Sequence, residues 1–119
     1  MENKPKRKNK TEEIELQRAI LELLSYLKIF AFRNNNSAIY DPVRKQYRKR
    51  KGLGHMNGIS DILGIYDNKF LAIEVKSKKG SCSDSQVEFL QNVRQRGGIA
   101  FVAHSVDDVL SNLKINKAE

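Results

Sequence analysis

Two short apolar segments joined by three polar residues constrain the fold of this chain more than any other feature. Residues 59–66 and 70–75 are rich in Ile, Leu, Val and Phe, and the tripeptide Asp-Asn-Lys at 67–69 separates them. Segments of this composition and length predict strands, and so short a connection predicts an antiparallel hairpin. With the turn in the middle of the tripeptide, Asp61 falls opposite Glu74 at the open end of the hairpin.

Two carboxylates that face each other across a hairpin are unfavourable unless a cation lies between them. The pair therefore predicts a divalent metal site formed by Asp61 and Glu74. Strand alternation puts Lys76 on the same face as Glu74, and the Val75 carbonyl lies at the strand edge as a further oxygen ligand. Oxygen ligands without clustered His or Cys favour Mg²⁺ or Mn²⁺ over Zn²⁺. The alternative is a pair of edge acids that neighbouring lysines neutralise.

The rest of the chain supplies the elements around this hairpin. Apolar residues recur with helical spacing over 11–28, where Thr11 is a plausible N-cap, and residues 29–33 form a short aromatic strand. Ser83-x-x-Gln86 has the form of a capping box that opens a helix to about Arg96. A buried strand at 99–103 and a helix capped by Ser105 follow. The order α-β-β-β-α-β-α predicts an α/β domain with one mixed central sheet flanked by helices.

The net charge of +8 is concentrated in two segments. One is a polar basic stretch at residues 1–10, which we expect to be a disordered arm; the other lies in a long loop at 34–57. Excess positive charge in flexible segments suits a polyanion such as DNA, although a solvated tail is the simpler alternative for either segment. The loop residues expected to contact nucleic acid are Arg44, Lys45, Tyr47, Arg48, Lys49, Arg50 and Lys51.

Several classes of protein are excluded by what the sequence lacks. No apolar stretch is long enough to cross a bilayer, and no hydrophobic signal segment stands at the N-terminus. Cys82 is the only cysteine, so the chain has no internal disulfide and a reducing, cytoplasmic setting is expected. No membrane partner and no small-molecule cofactor are predicted.

The ordered set of motifs resembles the VRR-NUC branch of the PD-(D/E)XK nuclease superfamily. Its members are Gly58-x-x-Asp61, the hairpin, Glu74-Val75-Lys76 separated from Asp61 by twelve residues, a polar loop with Gly80, Ser83-x-x-Gln86, Phe89-Leu90, Gly97-Gly98 and Ser105-x-Asp107-Asp108. The bare spacing of acid, acid and lysine recurs by chance, whereas the whole set is specific. The resemblance implies a restriction-endonuclease-like fold and assigns residues 11–119 to the nuclease domain.

The resemblance also implies roles for individual residues. Asp61, Glu74 and the Val75 carbonyl would be metal ligands, and Lys76 would position the attacking water. Family members carry a further glutamate on the first helix, for which the candidates are Glu12, Glu13 and Glu15. We choose Glu13, which shares a helix face with Gln17, although a glutamate in a first turn also interacts with the helix dipole. Gln86 matches a position that contacts the site and also fits the capping box. Ser60 stands where the superfamily often has Pro.

The resemblance implies an enzyme, a Mg²⁺-dependent DNA endonuclease in which Mn²⁺ substitutes for Mg²⁺. Stand-alone domains of this kind are similar to Holliday-junction resolvases, so we expect a homodimer that acts on branched DNA, encoded by a phage or a bacterium and active in the bacterial cytoplasm. Two alternatives are a non-catalytic nucleic-acid-binding module with the same fold and a nuclease that acts on RNA or on simple duplex ends.

Overall fold

The computed structural model describes residues 6–34, 39–48 and 56–116, with side chains over 10–34, 42–45 and 56–116. The described residues contain three helices and six strands. Their bounds are α1 Lys6–Tyr26, β1 Phe30–Arg33, β2 Ile39–Asp41, β3 Gln46–Arg48, β4 Ile62–Tyr66, β5 Lys69–Val75, α2 Asp84–Gln95, β6 Ile99–Ala103 and α3 Val106–Leu113.

Four of the strands form one mixed sheet in the order β1-β4-β5-β6. The first three are antiparallel neighbours, and β6 runs parallel to β5 after the crossover through α2. A parallel neighbour requires such a crossover, whereas antiparallel neighbours can be joined by a tight turn. The prediction of an α/β fold with one mixed central sheet is confirmed.

The tight turn between β4 and β5 sets the register of the hairpin. Asp67 and Asn68 both have positive φ, 55° and 63°, as a two-residue type I′ turn requires. Tyr66 therefore pairs with Lys69, and the ladder continues without a bulge to the pair that ends the hairpin. That last pair is Ile62 and Ile73.

The two faces of the sheet pack against different helices. Ile20 and Leu24 of α1 and Val109 of α3 are fully or almost fully buried on one face, over alternate residues of β5 such as Leu71 and Ile73. The opposite face is covered by α2, and its smaller core contains Ala72, Leu90, Val93 and Ala100. Both cores follow from strand alternation and helical spacing.

The first helix begins earlier than predicted. It starts at Lys6, so Thr11 lies within α1 and is not its N-cap. Residues 6–10, expected in a disordered arm, are helical; residues 1–5 of that arm lie outside the described residues. Lys and Arg have high helix propensity, which allows the helix to extend through this basic stretch without an apolar face. No helix within the described residues has the length and apolar character needed to cross a membrane.

The long loop predicted at 34–57 contains a small hairpin. Strands β2 and β3 form a separate two-stranded antiparallel sheet in which Tyr40 pairs with Tyr47. The prediction of a wholly structureless loop is wrong for these strands, because aromatic residues favour paired strands and the intervening Asp41-Pro42 favours a turn. Residues 35–38 and 49–55 of the predicted loop lie outside the described residues.

Candidate active site

The open end of the β4–β5 hairpin brings Asp61 and Glu74 together, as the sequence predicts. The register that pairs Ile62 with Ile73 puts Asp61, one step further along, opposite Glu74. The backbone N–H of Val75 donates a hydrogen bond of 2.8 Å to Asp61 Oδ2, which fixes the carboxylate over the end of β5. A backbone donor of this kind orients the acid without neutralising it.

Burial sets the chemistry of Glu74. Its side chain is only 2% exposed. Burial and, secondarily, the negative charge of Asp61 raise the pKa of Glu74 to about 8, while Lys76 opposes the shift. A carboxyl in this position resists ionisation unless positive charge comes close to it. Ionisation of both Asp61 and Glu74 therefore requires more positive charge than the described protein groups supply.

Lys76 supplies part of that positive charge. Its Nζ lies 3.5 Å from Glu74 Oε2, and its side chain is mostly buried. The other oxygen, Glu74 Oε1, is buried and has no hydrogen-bond partner among the described residues. An unsatisfied buried acceptor is costly in a folded protein and is found where a further ligand or water binds.

Glu13 approaches the same end of β5 from α1. Its Oε2 accepts a hydrogen bond of 3.3 Å from the backbone N–H of Ser77. The contact spans the chain from the first helix to the residue after Lys76. Of the three glutamates considered from the sequence, Glu13 is half-buried, whereas Glu12 and Glu15 are exposed. Glu13 is therefore the candidate that the fold brings to the site.

Gln86 lies at the start of α2 and forms the predicted capping box. Its Oε1 accepts a hydrogen bond of 2.9 Å from the Ser83 N–H, and the Ser83 Oγ accepts one of 3.3 Å from the Gln86 N–H. Both bonds satisfy backbone donors that the helix itself leaves free. The structural role of Gln86 is confirmed; its contact with the reacting groups stays a prediction.

Three residues around the site were not singled out from the sequence as site residues. Ser77 is buried, and its Oγ has no partner among the described residues. His104 Nδ1 lies 2.9 Å from the Ser77 carbonyl oxygen and so braces the loop after Lys76. Burial raises the pKa of the Cys82 thiol, and the charges of the acid pair and Lys76 also act on it. No local sequence pattern identifies these residues as part of the site, because the packing of separate segments brings them together.

The basic residues predicted to bind nucleic acid are described only in part. Arg44 and Lys45 occupy the exposed turn between β2 and β3. Tyr47 and Arg48 belong to β3, of which the backbone is described, and Lys49, Arg50 and Lys51 lie outside the described residues. Arg44 and Lys45 are thus presented to solvent on a hairpin.

The residues at the open end of the hairpin fit a hard divalent cation. Two carboxylates meet there, and one buried carboxylate oxygen has no hydrogen-bond partner among the described residues. Within the described residues, no group of three or more His, Cys, Asp or Glu side chains is arranged around one point. A cation held here would thus depend on the two acids and on backbone oxygen or water, a ligand set typical of Mg²⁺ and Mn²⁺.

Comparison with known proteins agrees with the fold. One solved structure, a VRR_NUC domain protein, is 19% identical, has a TM-score of 0.61, and the match covers 86% of this chain and 84% of that chain. At this identity the likeness shows the fold alone. A search of curated proteins gave no significant match.

The fold is that of a PD-(D/E)XK-type nuclease domain. The family model for the VRR-NUC domain matches residues 10–107, which is most of the chain. The chain therefore belongs to the VRR-NUC family.

Proposed function

We propose that this nuclease domain is a metal-dependent endonuclease that hydrolyses phosphodiester bonds in DNA. The observation that carries the proposal is the buried, partly unsatisfied Glu74 carboxylate beside Asp61 and Lys76. A purely structural hairpin gains nothing from two acids at a buried strand end, since each would be more stable in water.

Asp61, Glu74 and the Val75 carbonyl would hold Mg²⁺, with Mn²⁺ as a substitute. The bound ion would supply positive charge to the phosphodiester and lower the pKa of a coordinated water. Asp61 is already oriented for this role by its hydrogen bond from the Val75 N–H. A cation at Glu74 would also offset the cost of ionising that buried carboxyl.

Lys76 acts on the water and on the phosphate. Its ammonium group lies beside Glu74 and can donate hydrogen bonds to a water or to a phosphate oxygen, which holds the nucleophile in line with the scissile bond. The same charge stabilises the negative charge that develops on the phosphate during attack. Glu13 fixes the Ser77 backbone next to Lys76 and adds negative charge to the site, and Gln86 fixes the helix start beside it.

The exposed basic turn holds the DNA backbone. Arg44 and Lys45 are both exposed, and the four further basic residues at 48–51 follow closely in sequence. Phosphate contacts of this kind position a duplex without reading its sequence and weaken steeply as salt rises. The preferred substrate is a Holliday junction or other branched DNA, cut by a homodimer, because one small domain carries one site and paired cuts need two.

Cleavage assays on Asp61→Asn test the proposal. Asp67→Asn is the matched control, since Asp67 is an exposed acid at the other end of the same hairpin. Linear duplex, flap and four-way junction DNA are incubated with each protein, with and without Mg²⁺ or Mn²⁺. We expect the wild type and Asp67→Asn to cut junctions only with the ion, and Asp61→Asn to lose at least 100-fold in rate.

Two results would contradict the proposal. Unchanged cleavage by Asp61→Asn would show that the acid pair is not the active site. Tight DNA binding by a wild type that cuts none of these substrates with either ion would identify a non-catalytic binding module. An RNA duplex and a plain DNA end, run in parallel, separate branched-DNA activity from the other substrate classes.

A further inference from the structure

Lys76 lies at the point where the chain leaves the central sheet. Strand β5 ends at Val75, which pairs with Ala103 of β6, and the Lys76 N–H donates a hydrogen bond of 3.1 Å to the Ala103 carbonyl oxygen. The chain then enters a turn in which the Gly80 N–H donates to the Ser77 carbonyl oxygen over 3.0 Å. A lysine ammonium sits on a flexible four-carbon stem. Its position in the site therefore depends on what fixes the backbone on both sides of Lys76.

Two other elements of the fold hold the backbone of Ser77, the residue after Lys76. Glu13 Oε2 on α1 accepts a hydrogen bond of 3.3 Å from the Ser77 N–H. His104, which follows β6, places its Nδ1 2.9 Å from the Ser77 carbonyl oxygen. A carbonyl oxygen only accepts, so the proton is on Nδ1 and the ring donates. Ser77 is buried, so these protein groups take the place of water at both of its backbone groups.

His104 is itself oriented by the start of α3. Its backbone N–H donates a hydrogen bond of 2.8 Å to Asp108 Oδ2. The Ser105 hydroxyl, which caps α3, accepts a hydrogen bond of 3.1 Å from the Asp108 N–H. These two bonds fix the backbone of His104 relative to the helix. The imidazole is exposed to solvent, yet it extends from a backbone that the helix cap holds in place.

The register of the sheet places His104 beside Lys76. The pair Val75 and Ala103 ends the parallel ladder, so His104 lies opposite Lys76 one step further along. Neighbouring strands are about 4.8 Å apart, so the two residues adjoin across the strand ends. Strand alternation then puts His104 on the face of the sheet that carries Glu74 and Lys76. His104 is thus next to the proposed active site in space although it is distant from it in sequence.

The turn after Lys76 packs closely against these contacts. A Cβ atom added at Gly80 would lie 3.2 Å from both Glu13 Oε2 and Ser77 Oγ, which is closer than ordinary van der Waals contact. A rotation of the Ser77 peptide would therefore displace Glu13 as well as the turn. Freeing the Ser77 carbonyl oxygen should disturb two of the charged groups at the site together, Glu13 and Lys76.

We infer that His104 is a positioning residue for Lys76: its ring holds the Ser77 peptide and so fixes where the ammonium group meets the water and the phosphate. The inference rests on the proposed function, in which Lys76 acts on the reacting atoms. A displacement of about 1 Å in an active site can cost about 100-fold in rate. Because Glu13 still holds the other side of Ser77, we expect loss of the His104 contact to cost about tenfold.

Variants of His104 test which ring nitrogen matters. His104→Ala removes the donor and should lower the single-turnover rate of junction cleavage about tenfold, while the dissociation constant for DNA without the metal ion changes less than twofold. His104→Asn keeps an N–H donor near the place of Nδ1 and should recover the rate to within about threefold of the wild type. Asn112→Ala is the matched control, since Asn112 is an exposed side chain on α3 that donates to the Asp108 carbonyl oxygen, and it should cut normally.

A double-mutant cycle tests whether His104 acts through Lys76. If it does, His104→Ala should lower the rate by less than twofold in a Lys76→Ala background, because the group that it positions is already absent. A full tenfold loss in that background would overturn the inference, as the two residues would then act independently. Recovery by His104→Gln but not by His104→Asn would also overturn it, since the active nitrogen would be Nε2, in direct contact with the DNA.

Amide hydrogen exchange measures the same contact without DNA or metal. We expect His104→Ala to speed exchange of the Ser77 and Gly80 N–H groups at least fivefold, because both depend on the position of the Ser77 peptide, and to leave the amides of β4 unchanged. Exchange unchanged at Ser77 and Gly80 would overturn the inference while leaving the proposed function intact. A wild type that cuts no DNA would refute the proposed function and the catalytic role of His104 with it, even where exchange shows that His104 holds the peptide.

Discussion

The two ends of the β4–β5 hairpin each carry an acid paired with a lysine, but in two different environments. At the turn, Lys69 Nζ lies 3.3 Å from Asp67 Oδ2, and both side chains are exposed. At the open end, Lys76 Nζ lies 3.5 Å from Glu74 Oε2, and both are largely buried. In each case the lysine follows the acid by two residues. Water screens the exposed pair, so that pair contributes little to stability. The buried pair is poorly screened, and its charges favour the binding of a metal ion and of a phosphate.

Replacing the lysine at each end of the hairpin should reveal the largest difference between the two ends. We expect Lys76→Ala to reduce the rate of DNA cleavage by 100-fold or more, because it removes the ammonium group beside the reacting atoms. Lys69→Ala should change the rate by less than twofold. Single-turnover cleavage of a labelled junction in Mg²⁺ measures both. Equal losses in the two variants would mean that the lysines act only through general attraction of DNA.

The second largest difference concerns the pH dependence of stability. Because the pKa of Glu74 is raised to about 8, the native protein holds a proton there between about pH 4.5 and pH 8, where the unfolded chain has released it. The native state thus binds more protons, and its free energy of unfolding should fall as pH rises through that interval and level off above it.

Glu74→Gln removes this titration and should be more stable than the wild type at pH 9, by an amount on the order of a few kcal/mol. Urea unfolding in EDTA between pH 5 and pH 9 measures the effect. Asp67→Asn should keep the wild-type pH dependence, since Asp67 is exposed at the turn. Parallel profiles for the wild type and Glu74→Gln would remove the basis for a buried, protonated carboxyl.

A smaller effect is expected from the backbone of the turn. Asn68 has a φ of 63°, a left-handed conformation that Asn adopts more readily than Ala. Asn68→Ala should lower the free energy of unfolding by about 1 kcal/mol, and Asn68→Gly should leave it equal or slightly higher. Thermal unfolding measures both. Stabilisation by Ala would contradict the assigned turn and hence the register that pairs the two acids.

The exposed ion pair should give the smallest effect. We expect Lys69→Ala to lower the free energy of unfolding by no more than about 0.5 kcal/mol, and less at high salt. Urea unfolding at 50 mM and 500 mM NaCl measures it. A loss above 2 kcal/mol would show that the turn end is held by its charges as firmly as the open end, and the contrast between them would disappear.

The acid pair was predictable because its geometry is local. The composition of two strands and the length of one turn were sufficient to pair Asp61 with Glu74, and the capping box at Ser83 was equally readable. Such features depend on residues nearby in the sequence, so they can be predicted without knowledge of the rest of the fold. The family resemblance indicated that a glutamate on the first helix joins the site, and the helix face that Glu13 shares with Gln17 distinguished it from Glu12 and Glu15.

Other features were not predictable, for different physical reasons. The start of α1 was misplaced because a basic stretch has helix propensity but no apolar periodicity to reveal it. The β2–β3 hairpin was missed because its strands are three residues long and lie among charges and asparagines. Ser77 and His104 join the site only through tertiary packing, which a local pattern does not record.

Calorimetric titration of the metal-free protein with Mn²⁺ at pH 7, in buffers of different ionisation enthalpy, tests the central claim most directly. If Asp61 and Glu74 hold the ion together, the wild type and Asp67→Asn should bind Mn²⁺ and release most of one proton at pH 7, because the pKa of Glu74 lies near 8 in the free protein. The proton release should vanish by pH 9.5, and Asp61→Asn should not bind at the same concentrations. Equal Mn²⁺ binding by Asp61→Asn, or binding at pH 7 without proton release, would contradict the account.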